Sequence, residues 1–464
     1  MHYEKFADGS VKCIEDEIPF DLPDGWAWAR IATVCIVNPR NSLPDDMDVS
    51  FIPMPLISEG YANSHTAETR KWKDIKSGFT HFSENDIGIA KITPCFENRK
   101  STVFKNLSNG YGAGTTELHI LRTIENTVLP EYLLWTVKTD NFIHRGIQTF
   151  SGAVGQQRVG KEFVSQYLVP IPPHEEQVQI VAKLGEIFGI VTSVEKAKSE
   201  LQRSIKGIKS KILDLAIRGK LVPQDQDDEP ASVLLERIRA EKEALIKQGK
   251  IKRDKKESVI FRGEDNSYYL NDGQMTVDII DDLPFNIPDS WRWVRLKDVF
   301  IINPRNKLDD DLDVSFIPMP LIDDGYSGKH TAEVRRWKEV KTGFTHFAEG
   351  DIGVAKITPC FENRKSTVFE NLTNGYGAGT TELHILRPFG KNIFAQYLLA
   401  YVKSDYFVEN GKQTFTGDVG QQRISKAYVE NAYFPLPPNK EQERIVQQIG
   451  IIFEYLNMIT NALY

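Results

Sequence analysis

Residues 90–104 read Ala-Lys-Ile-Thr-Pro-Cys-Phe-Glu-Asn-Arg-Lys-Ser-Thr-Val-Phe, and the same fifteen residues recur unchanged at 355–369. The offset is 265, and it holds on both sides of this stretch. Asn109 to Arg122 is identical to Asn374 to Arg387, and over Asn38 to Arg122 the copies share 67 of 85 positions without a gap. The register runs from Trp26 and Trp291 through Gly155-Gln156-Gln157-Arg158, matched by Gly420-Gln421-Gln422-Arg423, to Pro172-Pro173, matched by Pro437-Pro438. Solenoid units run to about 20–50 residues, so a period this long means two copies of a whole domain of about 150 residues.

Within each copy short β-rich runs dominate, such as Val49 to Ile52, Asp86 to Ile92 and the alternating Thr115 to Leu121, with Gly and Pro turns between them. A helical stretch is expected near the end of each copy, at Glu131 to Asp140 and Gln396 to Asp405. The expected fold class is α+β, two near-identical globular domains of mixed sheet plus helices.

The periodicity changes after the first copy. Ile180, Leu184, Ile187, Val191, Val194, Leu201, Ile205, Ile208, Ile212 and Leu215 fall at spacings of four and three, with Lys198 as the one polar position of the seam. Pro173 precedes the run and Gly219 follows it, as helix punctuation requires. A helix over 174–218 would be about 65 Å long. The second copy starts the same helix with Ile445, Ile449, Ile452, Leu456 and Ile459. The alternative for such a seam is a helical hairpin inside one domain; ten unbroken positions favour an extended antiparallel coiled coil. The expected organisation is a connector at 1–21, a first recognition domain at 22–173, a long helix at 174–218, a connector at 219–286 with an amphipathic helix (Ala231 to Lys247), a second domain at 287–438 and a terminal helix at 439–464. The basic run Lys250, Lys252, Arg253, Lys255 and Lys256 reads as solvated linker, with a phosphate contact as the alternative.

Composition narrows the classes. Of 464 residues, 41% are hydrophobic and 26% charged, as in soluble globular chains, and no apolar run reaches membrane-spanning length. The N-terminus has no signal-peptide core, and Cys13, Cys35, Cys95 and Cys360 form no C-x-x-C pair, so a reducing cytoplasm is the expected address. The net charge of −7 does not exclude a nucleic-acid partner, because binding depends on where cations sit. Between His65 and Lys105 eight Lys/Arg face five Asp/Glu.

Several segments carry a resemblance. Pro172-Pro173 with Glu175-Glu176-Gln177 leads into the long helix; Lys220-Leu221-Val222-Pro223 precedes Glu229-Pro230-Ala231-Ser232-Val233-Leu234-Leu235; Gly88-Ile89-Ala90-Lys91-Ile92-Thr93-Pro94 and Gly114-Thr115-Thr116-Glu117-Leu118 lie inside the domain. In order and spacing the chain resembles the DNA-specificity subunits of type I restriction-modification systems. That resemblance implies two target-recognition domains held apart by antiparallel helices, and a bipartite double-stranded DNA target. It implies two modification (methyltransferase) subunits as partners, further restriction subunits, and S-adenosylmethionine, ATP and Mg on those partners, with no cofactor here. Two departures stand out: the terminal helix is far shorter than its counterpart, and the sequence opens at Tyr3, which corresponds to Tyr268, so the pseudo-twofold is incomplete.

Because the two domains are nearly the same, the target halves are expected to be inverted repeats, differing at one position at most. Base reading takes paired donors and acceptors, Arg for guanine and Asn or Gln for adenine. The candidates are Asn38, Arg40 and Asn41 (Asn303, Arg305, Asn306); Asn98, Arg99 and Lys100 (Asn363, Arg364, Lys365); and Gln156, Gln157 and Arg158 (Gln421, Gln422, Arg423). Arg70, Lys71, Lys73 and Lys76, with Arg335, Arg336 and Lys338, suit phosphates better than bases. For each, an exposed structural role is the competing account.

No catalytic or metal site is expected. The Pro-Pro pairs have the wrong neighbours for an adenine methyltransferase loop, and Gly110, Gly112 and Gly114 precede a strand rather than a helix, with no Gly-Lys-Ser/Thr after them. Asp45 with Asp74-x-Lys76, repeated as Asp310 with Glu339-x-Lys341, has the outline of a nuclease site, and His65, His81 and His119 could meet Cys95, but both patterns arise by chance in so charged a chain. The rival readings are a self-contained nuclease or methyltransferase, and a coiled-coil scaffold that does not touch DNA.

Overall fold

Gly112 and Gly114 show how the first sheet is built. A Cβ on Gly112 would overlap the Phe82 ring and lie 2.8 Å from the Ser50 carbonyl, and one on Gly114 would overlap the Ile52 carbonyl. Strand Tyr111–Gly114 can therefore lie close between its two neighbours only because it carries no side chain at those positions. It runs parallel to Asp48–Ile52 and antiparallel to Thr80–Ser83, which makes the sheet mixed. The computed structural model describes residues 2–124, 127–153, 155–253, 258–271, 273–390, 392–418 and 420–463. Lys255 and Lys256 of the basic run lie outside the described residues.

The chain divides into two units, 1–196 and 197–464. The division falls inside the long helix, which is continuous from His174 to Ile217.

In the first unit one four-stranded sheet has the order Glu68–Lys71, Asp48–Ile52, Tyr111–Gly114, Thr80–Ser83. The second has the order Cys35–Val37, Leu118–Thr123, Ile87–Ala90, Ser101–Val103. Its core joins Ile87, Ile89 and Leu121 to Leu133, Leu134 and Val137 of helix Pro130–Val137. The second unit repeats both sheets 265 residues later, with strands Glu333–Arg336, Asp313–Ile317, Tyr376–Gly379 and Thr345–Ala348, then Phe300–Ile302, Leu383–Pro388, Ile352–Ala355 and Ser366–Val368. It adds helix Ala231–Lys247, where the sequence places it, and a strand, Val259–Arg262, that makes a three-stranded sheet with Tyr268–Asn271 and Thr276–Asp278. Among the described residues of the first unit the counterpart is two-stranded, Tyr3–Lys5 with Val11–Cys13.

Two expected elements shift. The helix expected at Glu131 to Asp140 is two helices, Pro130–Val137 and Asp140–Gln148, because Thr139 caps the second by accepting from the Phe142 N–H at 3.3 Å. The strand expected from Thr115 starts at Leu118; Thr115 Oγ1 accepts from the Glu117 N–H at 3.1 Å and turns the chain. Leu118 to Leu121 are all buried, so that strand is covered on both faces rather than alternating.

The heptad positions differ in how far their own unit covers them. Ile187, Val191, Val194, Leu201, Ile208 and Ile459 are exposed. In the first unit the long helix is anchored through Ile180, Val181 and Phe188, the last stacked on Trp135 with ring centroids 4.7 Å apart. In the second unit Ile205, Leu213, Ala216 and Ile217 are buried, while Ile212 and Leu215 are half-buried. Each globular domain grips a face set by its own surface, and an α-helix drifts about 20° per heptad from a strict seam. Of the terminal-helix positions, Ile445 and Leu456 are buried and Ile449 and Ile452 half-buried. Within the second unit the helices are antiparallel: Lys209 donates to Asn457 Oδ1 at 2.6 Å, whereas Arg444 bonds back to Asp228 at the same distance. By length and composition alone His174–Ile217 would pass as a membrane span.

Candidate nucleic-acid interface

The loop after strand Cys35–Val37 turns because Asn38 adopts φ +59, which asparagine tolerates. Its Oδ1 accepts from the Ile120 N–H at 2.9 Å and its Nδ2 faces His119 Nδ1 at 3.4 Å. Asn41 donates to the Phe82 carbonyl at 2.9 Å and accepts from Arg122 at 3.1 Å. Asn303 and Asn306 repeat these bonds with Ile385, His384, Phe347 and Arg387. Both asparagine amides thus spend their hydrogen bonds inside the domain. Arg40 and Arg305 are exposed, each tethered by one donor, to the Phe79 carbonyl at 3.0 Å and the Phe344 carbonyl at 2.9 Å.

The 92–100 segment also turns inward. Arg99, at φ +55, donates to the Lys138 carbonyl at 3.0 Å, pairs with Asp140 and lies 5.2 Å from the Tyr61 ring centre. Arg364 repeats this with Lys403, Asp405 and Tyr326. Lys100 reaches the Met54 carbonyl at 3.4 Å, and Lys365 reaches the Ile322 carbonyl at 2.7 Å. Asn98 and Asn363 are exposed, but their carbonyls close loops onto the N–H groups of Gly60 and Gly325. These residues fasten the segment to its own domain.

In the hairpin that follows, Arg158 makes two 2.9 Å bonds to Glu117, and Arg423 does the same to Glu382 at 2.9 and 3.0 Å. Gln157 and Gln422 are half-buried, their carbonyls accepting from Thr93 and Thr358 N–H. Gln156 and Gln421 are exposed at the tip.

The basic cluster lies on an edge strand and the helical turn after it, Trp72–Ile75 in one copy and Trp337–Val340 in the other. All four side chains of Glu68–Lys71 are exposed, as are all four of Glu333–Arg336. Each cation has an acidic neighbour: Arg70 with Glu68 at 2.7 Å, Lys71 with Asp48 at 2.9 Å, Lys73 with Asp46 at 3.8 Å and Lys76 with Asp45 at 2.7 Å. In the second copy Arg335 pairs with Glu333, Arg336 with Asp313 and Asp311, and Lys338 with Asp311. The local cationic excess in sequence is therefore offset by acids brought in from residues 45–48. Such exposed pairs are worth at most about 1 kcal/mol and exchange readily for another anion.

The family model for the type I restriction modification DNA specificity domain matches residues 23–203 and 288–463. The chain belongs to this family. The type I restriction enzyme EcoAI specificity subunit of Escherichia coli is 49% identical over 499 residues, covering 96% of this chain and 80% of that protein. The EcoEI specificity subunit of Escherichia coli is 46% identical over 243 residues, 52% of this chain and 38% of that protein. In fold, the chain is similar to a structure solved for complex assembly and conformational transition of the type I R-M system (TM-score 0.61, 18% identity, 96% of this chain and 94% of that one). It is also similar to the HsdS subunit from Thermoanaerobacter tengcongensis (TM-score 0.50, 17% identity, 96% and 92%).

Within this specificity-domain fold, the nuclease outline resolves into ion pairs, Asp45 with Lys76 and Asp310 with Lys341 at 2.7 Å. The histidines are structural: His65 Nε2 accepts from the Lys105 N–H, His81 faces the Asn41 N–H and the Lys76 carbonyl, and His119 faces Asn38 and the Val159 carbonyl. Among the described residues no group of His, Cys, Asp or Glu could hold a metal ion. Sequence reasoning passed over Lys138 and Lys403, whose ammonium groups burial pulls down to about 7; each bonds two loop carbonyls, Gly60 and Arg99 or Gly325 and Arg364.

His384 makes a pH prediction. Its Nε2–H donates to the Ile424 carbonyl at 3.3 Å and its Nδ1 accepts from Asn303 Nδ2 at 3.3 Å, so only the neutral ring fits. Burial lowers its pKa to about 4, and lowers that of His119 as well. The folded value lies below an unfolded value of about 6.5, so this stability is present above pH ~6.5 and lost as pH falls toward 4. Melting between pH 7 and 4.5 should show a second-unit loss of roughly 2–3 kcal/mol. His384→Asn should flatten that slope; an unchanged slope refutes the assignment.

Proposed function

We propose that this chain is the sequence-reading, non-catalytic subunit of a cytoplasmic type I restriction-modification complex, and that its two domains read inverted halves of one bipartite, near-palindromic DNA target. The observation that carries the reading is that both units present the same exposed polar set, Arg40, Arg70, Lys71, Lys73 and Gln156 in one and Arg305, Arg335, Arg336, Lys338 and Gln421 in the other. The relatives' naming as restriction-enzyme specificity subunits supports it. In this reading two modification subunits bring S-adenosylmethionine, restriction subunits bring ATP and Mg, and this chain brings the address.

Arg40, Arg305, Gln156 and Gln421 are assigned to bases, and Arg70, Lys71, Lys73, Arg335, Arg336 and Lys338 to phosphates. Asn38, Asn41, Asn303 and Asn306 hold the loop that carries Arg40 or Arg305, and the Arg99 and Arg364 segments brace the domain behind it.

Selection from a degenerate duplex library, with the modification subunit present, tests the reading. Two half-sites that are inverted repeats, differing at one position at most, are expected; two unrelated half-sites reject it. The purified chain alone, given Mg or S-adenosylmethionine, should leave DNA unchanged. Replacing Lys71, Lys73, Arg336 and Lys338 by Ala should weaken binding equally across sequences and lower the slope of log K against log salt by about 0.9 for each phosphate no longer neutralised. Arg40→Ala with Arg305→Ala should instead relax the base preference. A sequence-specific loss from the first set of replacements would reverse these roles.

A further inference from the structure

The exposed residues assigned to DNA barely differ between the two units. Arg40 recurs as Arg305, Arg70 as Arg335, Lys73 as Lys338 and Gln156 as Gln421, while Lys71 becomes another cation, Arg336. The loop that carries Arg40 and Arg305 breaks the match two residues further on, where Ser42 of the first unit is replaced by Lys307 in the second.

That position faces the same way as the arginine. Burial alternates along the loop: Arg305 is exposed, Asn306 half-buried, Lys307 exposed, Leu308 half-buried and Asp309 exposed. The first unit repeats the pattern over Arg40, Asn41, Ser42, Leu43 and Pro44. The inward members are pinned. Asn306 Nδ2 donates to the Phe347 carbonyl at 2.8 Å, and Leu308 packs against the core of Val314, Trp337 and Val340. Extended chain sends successive side chains to opposite faces, so holding Asn306 and Leu308 inward aims Arg305 and Lys307 outward together. Lys307 is also uncommitted. The acids that follow it are engaged elsewhere: Asp309 Oδ1 accepts from the Asp311 N–H at 2.9 Å, Asp310 pairs with Lys341, and Asp311 pairs with Lys338. Among the described residues Lys307 makes no ion pair.

We propose that Lys307 reads a guanine that Ser42 leaves unread, so that the half-site bound by the second unit is specified at one more position than its twin. The inference rests on the assignment of Arg40 and Arg305 to bases. An ammonium only donates, and guanine alone presents two acceptors, O6 and N7, in the major groove; a serine hydroxyl donates or accepts and discriminates little. Two residues of extended chain span about 6.6 Å, or about two base-pair steps, which puts the added position within two pairs of the one that Arg305 reads. Two further exchanges, Pro44 to Asp309 and Ala153 to Asp418, bring carboxylates, which the phosphates bordering a groove repel.

Selection from a degenerate duplex library, with the modification subunit present, is repeated on Lys307→Ser and Ser42→Lys. Both positions are exposed, and thermal unfolding should not change. The unaltered protein is expected to select two inverted halves with a guanine preference of about tenfold added to one of them. Lys307→Ser should erase that preference, and Ser42→Lys should install it in the other half. Inverted halves with the same preferences in all three proteins overturn the inference and leave the base-reading assignment standing. Preferences untouched by Arg40→Ala with Arg305→Ala overturn that assignment and the inference with it. A loss from Lys307→Ser that is equal across sequences, with a lower salt slope, also overturns it, because the lysine would then hold a phosphate. So does a preference that survives Lys307→Ser and disappears with Asp418→Ala.

Discussion

Asp86→Ala is expected to destabilise the first unit by about 3 kcal/mol, at the lower end of the cost of stripping one partner from a buried ion pair. The Asp86 side chain is 2% exposed. It receives two bonds from Arg122, at 2.9 and 2.7 Å, and the Ser83 N–H at 2.7 Å. Burial raises its pKa, while those three donors hold it down. Removing the carboxylate strands the guanidinium against the sheet and frees the turn into strand Ile87–Ala90. Arg122 keeps 29% of its surface in water, so part of its charge is resolvated and the loss stays below the upper range. Asn41 would also lose its fixed partner, since it accepts from the same Arg122 nitrogen, and with it the loop that carries Arg40. Urea unfolding followed by hydrogen exchange should place the loss in residues 1–196 and leave 197–464 unchanged. Asp86→Asn should recover part of it. A loss under about 1 kcal/mol, or one shared by both units, would mean that the pair is solvated and holds nothing.

How much of this was legible beforehand depends on the range of the interaction. The duplication, the helix over 174–217 and the helix Ala231–Lys247 follow from patterns local in sequence, and the structure carries all three. The candidate base readers were chosen as polar loop residues, and a loop asparagine reads the same whether its amide points outward or inward. What turns Asn38 inward is His119 and Ile120; what turns Arg99 inward is Asp140 and Tyr61. Those partners lie about 40 or 80 residues away, beyond any local pattern. The basic cluster illustrates the same limit, because Asp45, Asp46 and Asp48 reach it only through the pairing of Asp48–Ile52 with Glu68–Lys71. The seam adds a further point: apolar spacing along a helix says that a face will be covered, but not by what. Phe188 lies off the heptad and meets Tyr61 and Trp135, while Val191 and Val194 lie on it and stay exposed.

The twin tryptophans convert that difference in covering into energy. Trp291 is fully buried, and its Nε1–H donates to Glu441 Oε2 at 2.9 Å; Trp26 is half-buried and donates to Glu176 Oε2 at 3.0 Å. Residue type, partner type and bond are the same, so only the surroundings differ. Around Trp291 these include Gly219, where a Cβ would lie 2.5 Å from Pro288 and 3.1 Å from the indole itself, and the core that holds Ala216 and Leu234. Trp291→Ala opens a cavity in that core and takes a donor from Glu441, a carboxylate 1% exposed whose pKa burial already raises. A loss of about 4–5 kcal/mol is expected, in the range for a buried aromatic cut to alanine. Trp26→Ala removes the same atoms from a surface that water already reaches, and about half that loss is expected. Parallel denaturation of the two variants decides the matter. Equal losses would show that the residues packed around Trp291 from 204–247 add little to the second unit's stability.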